Sequence, residues 1–136
     1  YLRTKIRNLI KQFEKNGIKH DRIINSINNL ASSRDTLNFY IQKIERNCVT
    51  KTKKTNSINL KFFLLENNEI QLKIFSNCIK RVSKNYYPPR AKKILALLSR
   101  IESDQKIKAT LGGCAINRHK KNLIISKEEL KKGTKL

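Results

Sequence analysis

Apolar residues recur every three or four positions through the first third of the chain. Leu2, Ile6, Leu9, Ile10 and Phe13 share one side of a helical repeat, which predicts an amphipathic helix over residues 2–15. Asn16-Gly17 is a stop signal, because glycine enters the left-handed conformation that ends many helices. Asp21 is placed to cap a second helix. Ile23, Ile27, Leu30, Leu37, Ile41, Ile44 and Cys48 then follow a four-three spacing, so a long helix is expected over about 22–48. The stripe is narrow and reads as packing. Arg34 interrupts it and is read as a side chain whose stem lies along the stripe with its head in water.

After Cys48 the pattern changes. Residues 49–57 are polar and basic and predict a linker. Ile58, Leu60, Phe62 and Leu64 alternate, which predicts a strand running to Leu65. Asn67 or Asn68 can cap a helix from near Glu69 to about Lys84, in which Ile70, Ile74, Cys78 and Val82 step by four. Asn85-Tyr86-Tyr87-Pro88-Pro89 is a break. Pro89 suits the first turn of the following helix, where its missing N–H has no partner to lose. That helix buries Ile94, Leu95, Leu98 and Ile101 and ends near Glu102 to Asp104. Two apolar runs, Thr110–Ile116 and Asn122–Ser126, flank a basic break at Asn117–Lys121. They predict a β-hairpin over about 106–125, with Gly112-Gly113 as a bulge in its first strand. Ser126-Lys127-Glu128-Glu129 fits a capping box for a last helical turn, and the basic tail 131–135 is expected to fray. The expected class is α+β, mostly α: a helical bundle with one long helix, a lone strand and a C-terminal β-hairpin.

At 136 residues the chain is one domain, or one with a small appendage, and its 38% hydrophobic content is enough for a core. It contains no methionine and starts inside a helical pattern, so a piece of a longer protein is expected. The net charge is +21, from 31 Lys+Arg against 10 Asp+Glu, and such a surface attracts nucleic acid. A second account stays open: an AT-rich genome deposits Lys, Asn and Ile together at tolerant surface positions. The charge has a focus, however. From Gln71 through Arg100 there is no acidic residue, while Lys73, Lys80, Arg81, Lys84, Arg90, Lys92 and Lys93 all fall there. Tyr86 and Tyr87 sit at its turn. Basic side chains around an exposed aromatic can cradle phosphates and stack a base; equally, the tyrosines can simply pack the turn. The expected RNA contacts are Arg81, Lys84, Tyr87, Arg90, Lys92 and Lys93, with Lys51, Lys53 and Lys54 from the linker, which otherwise reads as a solvated loop.

Enzymatic chemistry is scarce. Cys48, Cys78 and Cys114 show no paired spacing, and only His20 and His119 could join them, so reduced thiols and no metal site are expected. Cys114 has no histidine beside it to make it a nucleophile. Glu102/Asp104 and Glu128/Glu129 read as surface charges at helix ends. No run approaches the roughly 20 apolar residues of a membrane span, and a cytoplasmic location is expected. No helix-turn-helix signature points to DNA.

Three landmarks carry a family resemblance. Thr110-Leu111-Gly112-Gly113-Cys114, followed by a second apolar strand, is similar to the late segment of tRNA(Ile)-lysidine synthetase in its alphaproteobacterial version. Tyr87-Pro88-Pro89-Arg90 stands upstream of it, as in that version, and Tyr1-Leu2-Arg3-Thr4-Lys5-Ile6-Arg7 resembles the segment that follows the family's catalytic domain. The resemblance implies an ATP- and Mg2+-dependent ligase. It adenylates the wobble cytidine of the isoleucine tRNA with a CAU anticodon, and the amine of free lysine then displaces AMP. It implies that residues 1–48 are a helical linker behind an N-terminal catalytic domain, with Arg3 and Arg7 near the active site, and that residues 49–136 select the tRNA. The family's phosphate loop has the form Ser-Gly-Gly-x-Asp-Ser. Gly112-Gly113 lacks that Ser and Asp, so this chain alone is expected to bind no cofactor, hold no catalytic residue and be inactive. The alternative is a non-catalytic basic RNA-binding module. The oligomeric state stays open, a homodimer included.

Overall fold

A computed structural model describes residues 1–129. The chain forms two compact units, Tyr1–Tyr40 and Ile41–Leu136.

The first unit holds α1 (Leu2–Lys15) and the opening turns of α2 (His20–Cys48). α1 ends as its sequence indicates. Gly17 takes φ +80°, its N–H donates to the Glu14 carbonyl at 3.1 Å, and the Ile18 N–H donates to the Phe13 carbonyl at 2.9 Å. These two bonds satisfy carbonyls that a helix end leaves open. α2 starts at His20, so Asp21 lies in its first turn, where a carboxylate complements the helix dipole, instead of capping it. Ile27, Leu30 and Leu37 on its stripe are exposed.

In the second unit the α2 stripe becomes core, with Ile41 and Cys48 buried. The expected linker after it is a hairpin, β1 (Val49–Lys51) and β2 (Thr55–Asn59). Its turn closes through Thr52, whose N–H donates to the Thr55 carbonyl at 2.9 Å and whose hydroxyl accepts from the Thr55 N–H at 3.0 Å. Polarity hid these strands, although β-branched Val49, Thr50 and Thr55 favour extended backbone. The strand expected to run to Leu65 stops at Asn59. The Asn59 side chain accepts from the Lys61 N–H and starts the single turn α3 (Leu60–Phe63). Burial of Leu60 and Phe63, with Phe62 exposed, follows the helical repeat; a short apolar run does not by itself separate the two periods.

α4 (Asn68–Ser83) and α5 (Ala91–Ser103) follow. Asn67 caps α4, accepting from the Ile70 N–H at 3.0 Å. Pro89 stands before the α5 cap residue, Arg90, not in its first turn, and Leu97 takes the buried place expected of Leu95. The chain closes as a meander, β3 (Lys108–Leu111), β4 (Cys114–His119) and β5 (Asn122–Lys127). Gly112-Gly113 is therefore no bulge. It is the two-residue turn between β3 and β4, with φ of +60° and +79°, the conformation such tight hairpins require. The basic stretch Asn117–His119 belongs to β4, and only Lys120-Lys121 turn. Ser126 and Lys127 are strand, so they start no capping box; the tail expected to fray at 131–135 lies outside the described residues. The α+β class, the long helix and the C-terminal hairpin stand, but the lone strand is part of a five-stranded antiparallel sheet.

The sheet order is β1-β2-β5-β4-β3, so β5 is central and pairs with β2 and β4. One face buries Ile58, Leu123, Ile125, Ile116 and Cys114. α4 crosses that face against β5, β2 and β4, and packs on α5. Arg118 ties β4 to the end of α5: its guanidinium donates to the Ile101 and Asp104 carbonyls at 2.6 and 2.9 Å. The opposite face carries Thr50, Ser57, Ile124 and Asn117 in one cross-strand row.

Two contacts give stability predictions. A Cβ on Gly112 would lie 2.6 Å from Pro89 Cγ and 3.0 Å from Ile79 Cγ2, whereas one on Gly113 would meet nothing nearer than 3.7 Å. Both glycines have positive φ, so Gly113→Ala is expected to cost about 1 kcal/mol and Gly112→Ala about 2–4 kcal/mol, read by urea denaturation. The second contact is the ion pair of Glu45 with Arg81 and, at 3.2 Å, with Lys51. Burial alone would raise the Glu45 carboxyl, but the hydrogen bonds and charge of Arg81 and Lys51 outweigh it and hold it below its ordinary 4.5. A depressed folded-state pKa stabilises above the unfolded value, and that stability is lost as pH falls through the folded one. Glu45→Gln should thus cost about 1–2 kcal/mol at neutral pH, less than a fully buried pair because both cations are partly solvated. Its deficit against the parent should close as the pH drops below 4.5 in acid-denaturation series.

Candidate nucleic-acid interface

The site is built on the side of α4 turned away from the sheet. Ile70, Ile74, Phe75, Cys78 and Val82 are buried. Lys73, Asn77, Lys80 and Lys84 follow a four-three-four spacing and therefore line up on the other side. An open cleft of about 280 Å3 runs between Lys73, Asn77 and Lys80 on α4 and Pro88, Pro89 and Ala91 beyond it. A second, of about 480 Å3, is lined by Asn77, Lys80, Arg81, Lys84, Asn85 and Tyr86. A third, of about 710 Å3, lies at the end of the sheet, where Lys84 meets Lys53, Lys54, Thr55, Ser126 and Lys127. Asn77 and Lys80 are shared by the first two clefts, and Lys84 by the last two. The three clefts adjoin at these shared residues. Glu128 and Glu129 also line the third and offset part of its charge.

Lys84 is the hinge of this arrangement. It ends α4 in the left-handed conformation, φ +59°, with its N–H on the Lys80 carbonyl at 2.9 Å. Glycine usually holds such a position, because a Cβ costs energy there. Beyond it the Tyr86 and Tyr87 rings meet edge to face, centroids 4.8 Å apart, and both residues are about 80% exposed. The Lys80 ammonium stands 5.9 Å from the Tyr86 ring centre, a cation–π distance. The tyrosines do not pack the turn; they stand in solvent beside the lysines.

The other expected contacts divide. Lys53 and Lys54, in the β1–β2 turn, join Lys84 in the third cleft. Arg81 and Lys51 are both committed to Glu45, which leaves them less charge to offer an anion. Arg90, Lys92 and Lys93 are exposed around the start of α5, whose first turn has no acidic residue, but they line none of the three clefts. Arg3 and Arg7 lie on α1, in the first unit, exposed and one turn apart. Sequence reading placed Lys73, Lys80 and Tyr86 in the basic window without choosing them as contacts, and it passed over Asn77, Ser126 and Lys127. The spacing along α4 was a signal for the first group. The residues at the sheet end carried none, because strand register brings them together.

The thiols offer no chemistry. Burial pushes Cys48 up to about 11 and Cys78 up to about 12, and it raises Cys114 as well. Cys114 Sγ faces the Ile79 carbonyl at 3.6 Å. Asp104 is spent on the Lys106 N–H at 3.0 Å. Among the described residues no group of three or more His, Cys, Asp or Glu gathers to hold a metal, and no helix is long and apolar enough to cross a membrane. Behind the Gly112-Gly113 turn, the side chains of Pro89 and Ile79 fill the place a Gly112 side chain would take.

No family model matches the chain. Two curated proteins do. A tRNA(Ile)-lysidine synthase of Wolbachia pipientis wMel is 28% identical over 130 residues, which is 94% of this chain and 30% of that protein. A tRNA(Ile)-lysidine synthase of Wolbachia sp. subsp. Brugia malayi (strain TRS) is 26% identical over 133 residues, 96% of this chain and 31% of that protein. The chain thus spans less than a third of the length of the relatives it matches. Over nearly all of its own length it is similar to tRNA(Ile)-lysidine synthases, and the resemblance carried by its three sequence landmarks holds.

Proposed function

We propose that this chain is the tRNA-positioning part of a lysidine-forming ligase. The observation that carries the reading is the set of adjoining clefts lined by Lys73, Lys80, Lys84, Lys53, Lys54 and Lys127, in a chain similar to such ligases over 94% of its length. The substrate is the isoleucine tRNA with a CAU anticodon. ATP adenylates its wobble cytidine, and the amine of free lysine displaces AMP. ATP, Mg2+ and lysine are assigned to the rest of the longer protein, because the one glycine pair here lacks the Ser and Asp of the family's phosphate loop. Arg3 and Arg7 face that catalytic part. Residues 1–48 link the two parts, and residues 49–136 hold the tRNA. Phosphate contacts along the groove fix the position of the tRNA, and this remote binding energy orients the wobble base at the reactive centre. The setting is cytoplasmic.

Binding of the chain to the CAU-anticodon isoleucine tRNA and to methionine tRNA, each over a salt series, tests the reading. The two share an anticodon, so a preference for the isoleucine tRNA that survives raised salt supports tRNA selection by these residues. Equal, weak, steeply salt-dependent binding leaves only a non-specific basic surface, and no binding at low salt refutes the proposal. Replacing Lys73 and Lys80 by Gln should lower affinity for tRNA and flatten the log–log salt slope by about 1–2 units, since each phosphate contact contributes roughly 0.9.

A further inference from the structure

The groove has a feature that duplex binding does not use. A basic track alone serves any polyanion, and a paired nucleic acid keeps its base faces inside its own stack. Yet Tyr86 and Tyr87 stand at the bend of this track with about 80% of their surface in solvent. Their edge-to-face contact leaves broad ring surface uncovered. Burying two adjacent exposed rings is favourable, and every base has a π face to offer them. Asn77 and Asn85, in the same cleft as Tyr86, each already donate one amide N–H, to the Glu45 carboxylate and to the Gly112 carbonyl, and each keeps its oxygen and a second N–H for a base edge. Lys80 stands over one face of the Tyr86 ring, which leaves the other face and the Tyr87 ring for a base and an ammonium close by for its phosphate. From there the track turns over Lys84 into the cleft at the end of the sheet, which adds hydroxyls from Thr55 and Ser126 to its lysines. Aromatic faces together with a lysine-lined channel make a surface for single strands.

We propose that the groove takes an unpaired RNA segment. One base stacks on the Tyr86–Tyr87 pair, and the backbone passes over Lys84 into the sheet-end cleft. This rests on the reading of the groove as a tRNA-binding surface, and it specifies the substrate feature that is recognised: a single-stranded stretch beside a duplex. Lys84 lines both the second and the third cleft, so a backbone passing between them would meet its ammonium.

The test compares a blunt hairpin RNA with the same hairpin carrying a short unpaired tail, binding each to the full chain. The tail should tighten binding about 10-fold, the scale of one stacked base. Tyr86→Ala with Tyr87→Ala should erase that gain, so that the variant binds the tailed and the blunt hairpin alike. The paired Tyr→Phe variant should keep the gain, because the ring faces remain. Lys84→Gly, which relieves the backbone instead of straining it, should reduce the salt slope of the tailed RNA by about 0.7. Equal binding of tailed and blunt RNA by the parent overturns the inference, and so does a tail gain that survives loss of both rings; either result leaves general tRNA binding in place. Failure to bind either RNA overturns both proposals together.

Discussion

The burial of α4 across the middle of the sheet is the interaction on which the rest of the second unit depends. The sheet has one apolar face, and an uncovered face of that size would not be stable in water. Ile74, Phe75 and Cys78 seal it over β2, β5 and β4, and each large side chain so buried contributes about 1.5–3 kcal/mol. Asn56 answers from the sheet, its buried amide donating to the Cys78 carbonyl at 3.3 Å. With one side of α4 committed to the core, its other side is fixed in direction. Lys73, Asn77, Lys80 and Lys84 are therefore presented as a line by the same packing that holds the domain together.

A second contact joins two segments that lie well apart in sequence. The Pro89 ring fills the space behind Gly112, and the Asn85 amide donates to the Gly112 carbonyl at 3.4 Å. The break between α4 and α5 is thus pinned to the β3–β4 turn. A side chain at position 112 would collide with the Pro89 ring, so glycine there is what lets the two segments approach so closely. The Tyr-Pro-Pro-Arg and Gly-Gly landmarks are halves of one packing contact, and the exposed rings depend on it for their position.

Much of the helical part was legible. α1, α4 and the reach of α2 follow from apolar spacing and from Gly17 and Asn67 at helix ends, because these signals are local. The sheet was less legible for two physical reasons. β1 and β2 are polar strands at or near a sheet edge, so alternation is faint, and the second partner of β2, β5, lies far along the chain. The apolar run after Ile58 changes period at Asn59, and a run that short fits a strand or a turn of helix. Gly112-Gly113 was read within one strand because the basic residues after Ile116 looked like the loop; Arg118 in fact points to the α5 carbonyls, a tertiary bond invisible to a local pattern. The site was half legible for the same reason. The lysines on one helix could be found by spacing, but their meeting with Lys53, Lys54 and Lys127 needed the register of β2 against β5.

The basic charge divides into cations that the fold uses and cations that it leaves free. An AT-rich genome would place lysine and asparagine wherever exposure tolerates them. Here several cations are internally committed: Arg81 and Lys51 to Glu45, Arg118 to the end of α5. The open row across the sheet, Thr50, Ser57, Ile124 and Asn117, ends in the exposed Lys108 of β3. Of the uncommitted lysines, Lys53, Lys54, Lys73, Lys80, Lys84 and Lys127 line three adjoining clefts, whereas others such as Lys92 and Lys93 lie outside them. Among the described residues, the two non-glycine positions of positive φ, Lys84 and Lys120, are both lysine. Asparagine, which the same genomic bias supplies, adopts that conformation at lower cost. At position 84 that cost puts a lysine in the lining of two clefts, whereas Lys120 turns β4 into β5 and lines none of the three.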